Sequence, residues 1–366
     1  MRETRASRRL PLASDGDATL SAALPAAYVH GGAVEYYAVV EADSGESLTL
    51  PPAGAAKPQR ATVVPSWIPV ELGPHRFGAA RAPARVVARA GWGDGAGELG
   101  LDSGPEQSRI GPSAFDVAAD GSLVVLDQVN RRLARFRPAG RAVEHTAIPF
   151  SGGEGDLALA PDGTAHVLDE GGHERGPVVR SFARSGEAVA TAPLAAPSAD
   201  MLRMAPSGPV AHAYPFELWL PTADGRTPLE AAAQRRLARA GRPVGAGTEV
   251  VVRASAAEAR FALVRGEQVV RAWRVTSPTA LGEVQLAEPR GNGLLVVVRV
   301  WTETEAEFRV LELTPAGLGA SFSVARAEWA ESAPLSRFRV HGDRVYQLRT
   351  TPQGAQIVEF DLGGTR

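Results

Sequence analysis

Past about residue 108 the chain settles into short apolar runs separated by tight polar turns, the pattern of strands and hairpins rather than of long helices. Ala114-Phe115-Asp116-Val117-Ala118-Ala119-Asp120-Gly121 leads into Ser122-Leu123-Val124-Val125-Leu126-Asp127, then a run from Arg131 to Phe136 and a closing Gly140. The same order returns in Asp156-Leu157-Ala158-Leu159-Ala160-Pro161-Asp162-Gly163, in Thr164-Ala165-His166-Val167-Leu168-Asp169, in a run from Val178 to Phe182 and in Gly186. The turn glycines Gly121 and Gly163 lie 42 residues apart, as do Asp127 and Asp169. A weaker third copy, Met201-Leu202-Arg203-Met204-Ala205-Pro206-Ser207-Gly208, turns 45 residues further on.

A unit of this kind cannot bury both of its faces alone. Stacking four-stranded units radially buries them and leaves only short edges, and a strand-built repeat of roughly 40 to 45 residues has the period of a propeller blade. The later chain keeps the rhythm without the copy. Strand groups fall at Glu249 to Thr276, Val284 to Leu313 and Ser336 to Leu362, divided by turns such as Arg265-Gly266, Arg290-Gly291-Asn292-Gly293 and Pro315-Ala316-Gly317. Leu294-Leu295-Val296-Val297-Val298 is apolar without alternation, as suits a strand covered on both faces. The expected fold is all-β: a six-bladed β-propeller over residues 81–366, with blades near 110–145, 153–192, 198–222, 248–276, 283–323 and 335–363. A pair of β-sandwiches is the alternative. A ring must pair its last free edge, and Arg85-Val86-Val87-Ala88-Arg89 (85–89) is the strand expected to complete the sheet of Val345 to Phe360.

Two segments break the rhythm. Thr227-Pro228-Leu229-Glu230 reads as the N-cap, N1 proline and capping-box glutamate that open a short rim helix, followed by Ala231 to Ala240 and by Gly241 as its stop. Residues 1–80 read as an irregular, partly disordered extension with one hairpin, Val34 to Val40 and Ser47 to Leu50 around Asp43-Ser44-Gly45, followed by the linker-like run Pro51 to Pro58. Ser7-Arg8-Arg9-Leu10-Pro11-Leu12 ahead of Ala18 to Val29 faintly resembles a twin-arginine export signal, but Asp15 and Asp17 interrupt the segment that should be apolar. The reading is a disordered start, and the compartment stays open.

The blade residues resemble the NHL-repeat family. That family's blade runs apolar strand, Asp-Gly, apolar strand ending in Asp, Asn-Arg-Arg, a strand ending in Phe and a closing Gly. Val117 to Gly121, Val124 to Asp127, Asn130-Arg131-Arg132, Phe136 and Gly140 follow it, and the second unit does so apart from a Gly171-Gly172-His173 insertion. The resemblance is specific over residues 108–186 and only rhythmic beyond. It also places Gly91-Trp92-Gly93-Asp94-Gly95-Ala96-Gly97-Glu98-Leu99-Gly100, whose Gly95-x-Gly97-x-x-Gly100 spacing matches a dinucleotide fingerprint. Such a fingerprint opens a helix inside a βαβ unit. Here Gly104-Pro105 and Gly111-Pro112 follow instead, and the stretch is similar to the glycine-rich segment that precedes an NHL-like blade.

Composition narrows the chemistry. A net charge of -2 gives no field to hold a polyanion, so nucleic acid is not expected as a general partner. Lys57 is the only lysine among 39 basic residues, a bias that reads as a GC-rich bacterial genome. Without cysteine there is no disulfide, thiolate nucleophile or zinc-thiolate site. No apolar run is long enough for a transmembrane helix, and no G-x-S-x-G elbow marks a serine hydrolase.

Six-bladed propellers also resemble metal-dependent lactonases, which hold a divalent ion over the channel with Glu, Asn and Asp oxygens. This chain has only Asn130 and Asn292, both in turns. A zinc site would draw on His166, His212 and His341, in or beside strands of units two, three and six, but no H-E-x-x-H spacing supports one. Counting back five positions from each turn glycine gives Asp116, Ala158 and Arg203, with Asp156 at minus seven. Asp116, Asp156, Arg203 and His212 are therefore the candidate ligand-binding residues at the channel mouth. Trp92, Trp219, Trp273, Trp301 and Trp329 are read mostly as blade packing. The expected function is a non-catalytic binding or assembly platform for a protein or glycan partner, with no cofactor. The alternative is a lactonase-like hydrolase or lyase with one divalent metal, Ca or Zn, at the channel.

Overall fold

A computed structural model of the chain describes residues 9–14, 20–22, 24, 33–41, 44–62, 66–138, 143–151, 155–170, 176–214, 217–224, 227–266, 268–333 and 335–363. Ser7, Arg8, Asp43, Gly140, the Gly171-Gly172-His173 insertion and most of Ala18 to Val29 lie outside the described residues. Two compact units are present, residues 1–66 with 265–270 and residues 67–264 with 271–366.

Among the described residues of the first unit, three short antiparallel pairs form: Ala13–Ser14 with Leu20–Ser21, Ala33–Tyr36 with Gln59–Thr62, and Ala38–Glu41 with Ser47–Leu50. The strand expected from Val34 to Val40 is thus divided at Tyr37, each half with its own partner. Tyr37, Val39, Leu48 and Leu50 are exposed, so burial does not weld the stretch into one register. The run Pro51 to Pro58 holds a 3-10 turn, Gly54–Ala56.

The second unit carries a six-bladed β-propeller, with residues 265–270 of one blade-4 hairpin grouped in the first unit. Blade 1 is Ala114–Val117, Leu123–Asp127, Arg132–Phe136 and Val143–Ala147, and blade 2 is Asp156–Leu159, Ala165–Asp169, Val178–Phe182 and Ala188–Pro193, each strand antiparallel to the next. Blade 3 has three described strands, Ser198–Ala205, Gly208–Tyr214 and Leu218–Pro221. Where a fourth would lie, Arg239 bridges Trp219. Blade 4 begins with Arg242–Gly245, ahead of the expected start at 248, and continues through Thr248–Ala254, Glu258–Arg265 and Gln268–Thr276. Its outer strand is Ile68–Glu71, paired in parallel as Trp273↔Ile68, so this piece of the stretch before residue 80 belongs to a blade. Blade 5 is Ala280–Arg290, Gly293–Trp301, Ala306–Thr314 and Gly317–Ala325. Blade 6 is Phe338–His341, Arg344–Thr351 and Gly354–Asp361, with Arg85–Trp92 antiparallel to the last in register Ile357↔Ala88.

Alternation of side chains along each innermost strand lets the blades share cores. Ala114 packs toward blade 2 with Leu157, Leu159 and Val167, while Phe115 packs toward blade 6 with Leu348 and Ile357. Leu294, Val296 and Val298 meet blade 4 at Trp273 and Phe261, and Leu295 and Val297 meet blade 6 at Phe338 and Phe360. All five residues of that run are sealed from solvent. Each such side chain contributes about 1.5–3 kcal/mol by burial, so the ring is held mainly by its inter-blade faces.

The rim helix is shorter than expected and starts later. It spans Ala231–Leu237, and the residue before it, Glu230, is extended with no side-chain cap. Thr227–Pro228 instead pairs with Ala223–Asp224, and Leu229 donates its N–H to Thr222 O. The strand pairing satisfies the backbone groups a Thr227 cap would have served. The helix is pinned by buried Gln234, which donates to Pro193 O and Leu229 O and accepts from Ala195 N.

Candidate functional site

The innermost strands surround an axial cavity of about 380 Å³ whose polar lining is Asp116, Arg203, Arg242, Glu288 and Arg339. Leu157, Leu202, Met204, Leu286 and Val340 supply its apolar wall. The alternation that packs the blades also sets these groups. Asp116 shares the parity of Ala114 and so points toward blade 2, where one carboxylate oxygen accepts the Leu159 N–H at 2.8 Å and the other the Val117 N–H at 2.8 Å. Asp156 does the same one blade on, accepting from Leu157 N and from Leu202 N, each at 2.8 Å.

Asp156 is the hub. Arg203 Nη1 donates to it at 2.5 Å and Arg339 Nη2 at 2.6 Å. The two arginines also donate to carbonyls, Arg203 to Leu335 O and Arg339 to Leu157 O and Phe338 O. Arg242 donates to Ala287 O and to Glu288 at 2.8 Å, lacing blade 4 to blade 5. Burial works to raise the Asp156 carboxyl, but Arg339, Arg203 and the Leu202 N–H outweigh it and hold it below the usual range. Asp116 is in the opposite position. Burial pushes its carboxyl up and outweighs Arg339, whose Nε is 3.7 Å away, the two backbone N–H groups and the more distant Arg203. Burial and the neighbouring Arg339 pull the Arg203 guanidinium down from its ordinary value.

The structure thus brings Asp116, Asp156 and Arg203 to one place and leaves His212 out of it. His212 stands on the middle strand of blade 3, hydrogen-bonded to Asp200 at 2.7 Å and against the Trp219 ring at 5.1 Å. His166 bonds Ser181 at 2.8 Å, and burial draws its pKa down to about 4. His341 is exposed at the end of its strand. The three histidines occupy separate sheets with separate surroundings, and among the described residues no group of three or more His, Asp or Glu is arranged to hold a metal. Asn130 donates to Gly93 O and Asp127, and the Asn292 carbonyl accepts from Arg271. The oxygen donors that a divalent ion would need at the channel are already bound to backbone N–H groups and guanidinium groups. Three arginines in the lining oppose a cation as well, so the residues present do not fit a channel metal.

Arg242, Glu288 and Arg339 are site residues that counting from the turn glycines does not reach. Arg339 precedes Gly342 by three positions, not five, because the hairpin there closes as His341↔Arg344. Its signal in the sequence is the alternation Arg337-Phe338-Arg339-Val340.

The glycine-rich stretch is filled by the protein itself. Gly100 N donates to Asp127, Asn130 donates to Gly93 O, and Arg132 donates to Asp94 O and Glu98 O. Glu98 folds back to accept from Gly95 N. A Cβ on Gly100 would stand 2.6 Å from Val129 Cβ, so glycine there serves close docking onto blade 1. Trp92 and Trp329 stack at 6.1 Å with Arg109 over the latter ring, Trp273 is fully buried and Trp219 nearly so, and Trp301 is the most exposed of the five.

No protein-family model matches the chain, and no curated protein matches it. Solved structures similar to it are propellers at low identity. The PQQ-bound aldose sugar dehydrogenase from Streptomyces coelicolor aligns with TM-score 0.45 and 10% identity over 76% of this chain and 97% of that one. Virginiamycin B lyase from Staphylococcus aureus gives 0.42 and 8% over 68% and 94%, and hydrazine synthase from Kuenenia stuttgartiensis gives 0.42 and 13% over 68% and 80%. The class defined is the six-bladed β-propeller.

Proposed function

We propose that the protein is a non-catalytic propeller, NHL-like in its blades, that serves as a rigid platform presenting rim loops to a protein or glycan partner. A closed ring of sheets holds loops at fixed spacing, which suits recognition. The observation that carries this reading is the use made of the channel acids. Asp116 and Asp156 each accept one N–H from their own blade and one from the next, and Asp156 holds two arginines besides. Carboxylates engaged in this way brace the ring and are poorly placed to serve as metal ligands, general base or nucleophile.

The test joins elemental analysis of the purified chain with affinity capture on it as bait. The reading expects substoichiometric calcium and zinc and a partner whose capture is reduced by rim-loop substitutions. Stoichiometric calcium or zinc together with hydrolysis of a lactone or elimination from a cyclic ester would replace it with the lactonase-like or lyase-like alternative.

A further inference from the structure

The axial cavity has unused binding capacity of one kind. Each guanidinium carries five N–H donors and no acceptor. Arg242 spends Nη2 on Ala287 O and Glu288, which leaves Nε and Nη1 without a protein acceptor among the described residues. Arg203 spends Nη1 and Nη2 on Asp156, Leu202 O and Leu335 O, which leaves Nε. Arg339 leaves Nε, whose nearest oxygen on Asp116 is 3.7 Å away. All three side chains are more than nine-tenths buried, yet none of these nitrogens is among the sealed atoms without partners. They keep access to solvent, and the cavity that all three arginines line is where they reach it.

Glu288 answers Arg242, Asp156 is shared between Arg203 and Arg339, and Asp116 stands 3.7 Å from Arg339 Nε. Burial pushes the Asp116 carboxyl up, and both of its oxygens are taken by backbone N–H groups. Leu157, Leu202, Met204, Leu286 and Val340 provide an apolar seat beside the arginines. A volume of about 380 Å³ is in the range of small-molecule pockets.

We propose that the cavity binds one small organic monocarboxylate, its carboxylate on the free N–H groups of Arg203, Arg242 and Arg339 and its body against Met204, Leu286 and Val340. The free guanidinium N–H groups are charge-assisted donors suited to a carboxylate, the few donors left free match one carboxylate rather than several, and the apolar wall matches an organic body rather than a bare ion. The site goes beyond the rim platform and does not depend on which partner the rim takes, so failure here leaves that reading standing.

The experiment is calorimetric titration of the full chain with benzoate and glucuronate, with benzamide and inorganic phosphate as controls, repeated on Met204→Trp, which fills the cavity without touching a charge, and on Arg242→Gln. Thermal melting checks that both variants fold. Expected is one-to-one binding of at least one carboxylate with a dissociation constant below about 1 mM, lost in Met204→Trp and weakened more than about tenfold in Arg242→Gln, with no benzamide binding. No saturable binding of either carboxylate, binding that survives in Met204→Trp, or phosphate binding in their place would overturn the assignment.

Discussion

Blades 1 and 2 and blades 4 and 5 reach the same architecture by different means. In the first pair, buried acids clasp loops to strands. Asp127 accepts from Gly100 N, Asn130 and Arg132, and Asp169 accepts from Ser151 and Arg180. In the second pair the inner faces are almost wholly apolar. Leu294 to Val298 lie between Trp273 and Phe261 on one side and Phe338 and Phe360 on the other, all with 0–1% exposure. A polar clasp demands particular residues at particular positions, so it leaves a repeat in the sequence. An apolar face demands only volume and alternation, so it leaves a rhythm.

The comparison breaks most severely at Asp127. Asp127→Ala leaves the buried Gly100 N–H unpaired and takes from Arg132 its carboxylate partner, and the expected loss is about 4 kcal/mol, read as a lowered urea midpoint. Leu311→Ala in blade 5 removes a fully buried side chain from the blade 4–5 core, with an expected loss of about 3 kcal/mol.

His166 sharpens the same contrast. Its folded pKa of about 4 lies below the ordinary 6.5, so the unfolded chain takes up the proton first. The stability that its neutral form supports is intact above about pH 6.5 and is lost as pH falls toward 4, by roughly 3 kcal/mol in all. Denaturation curves across that window should show the slope, and His166→Gln should remove it. Asp156, held below the usual range, carries stability that is present above about pH 4 and lost as pH falls further. At the small end, Arg137, just past the strand Arg132–Phe136, pairs with Glu144 on the outer strand of blade 1, both exposed. Arg137→Ala should leave the melting curve unchanged, since exposed pairs contribute little.

How much the sequence reveals follows the same division. The Asp-Gly turns of blades 1 and 2 are legible because their chemistry is local. Gly121 and Gly163 adopt φ of 78° and 86°, and Asp120 and Asp162 accept from Ser122 N and Thr164 N two residues on. The third unit turns differently, closing as Ala205↔Gly208, which is why its copy is weak. The inner strand of blade 4 is not announced in this way, since Arg242–Gly245 follows the helix with a bulge and no turn copy. Asp116, Asp156 and Arg203 could be picked out by counting from turns, whereas Arg242 and Arg339 meet them only once the ring is built. His212 has the composition of a site residue, but its strand directs it to Asp200 and Trp219.

The most direct test concerns the closure on which platform and cavity both depend. The chain has no cysteine, and Arg89 and Gln356 are register partners across the last seam of the ring. The double variant Arg89→Cys, Gln356→Cys should form one intramolecular disulfide on mild oxidation, and its melting temperature should rise. Two free thiols in the folded, oxidised protein, or disulfides only between molecules, would contradict a ring closed by residues 85–92.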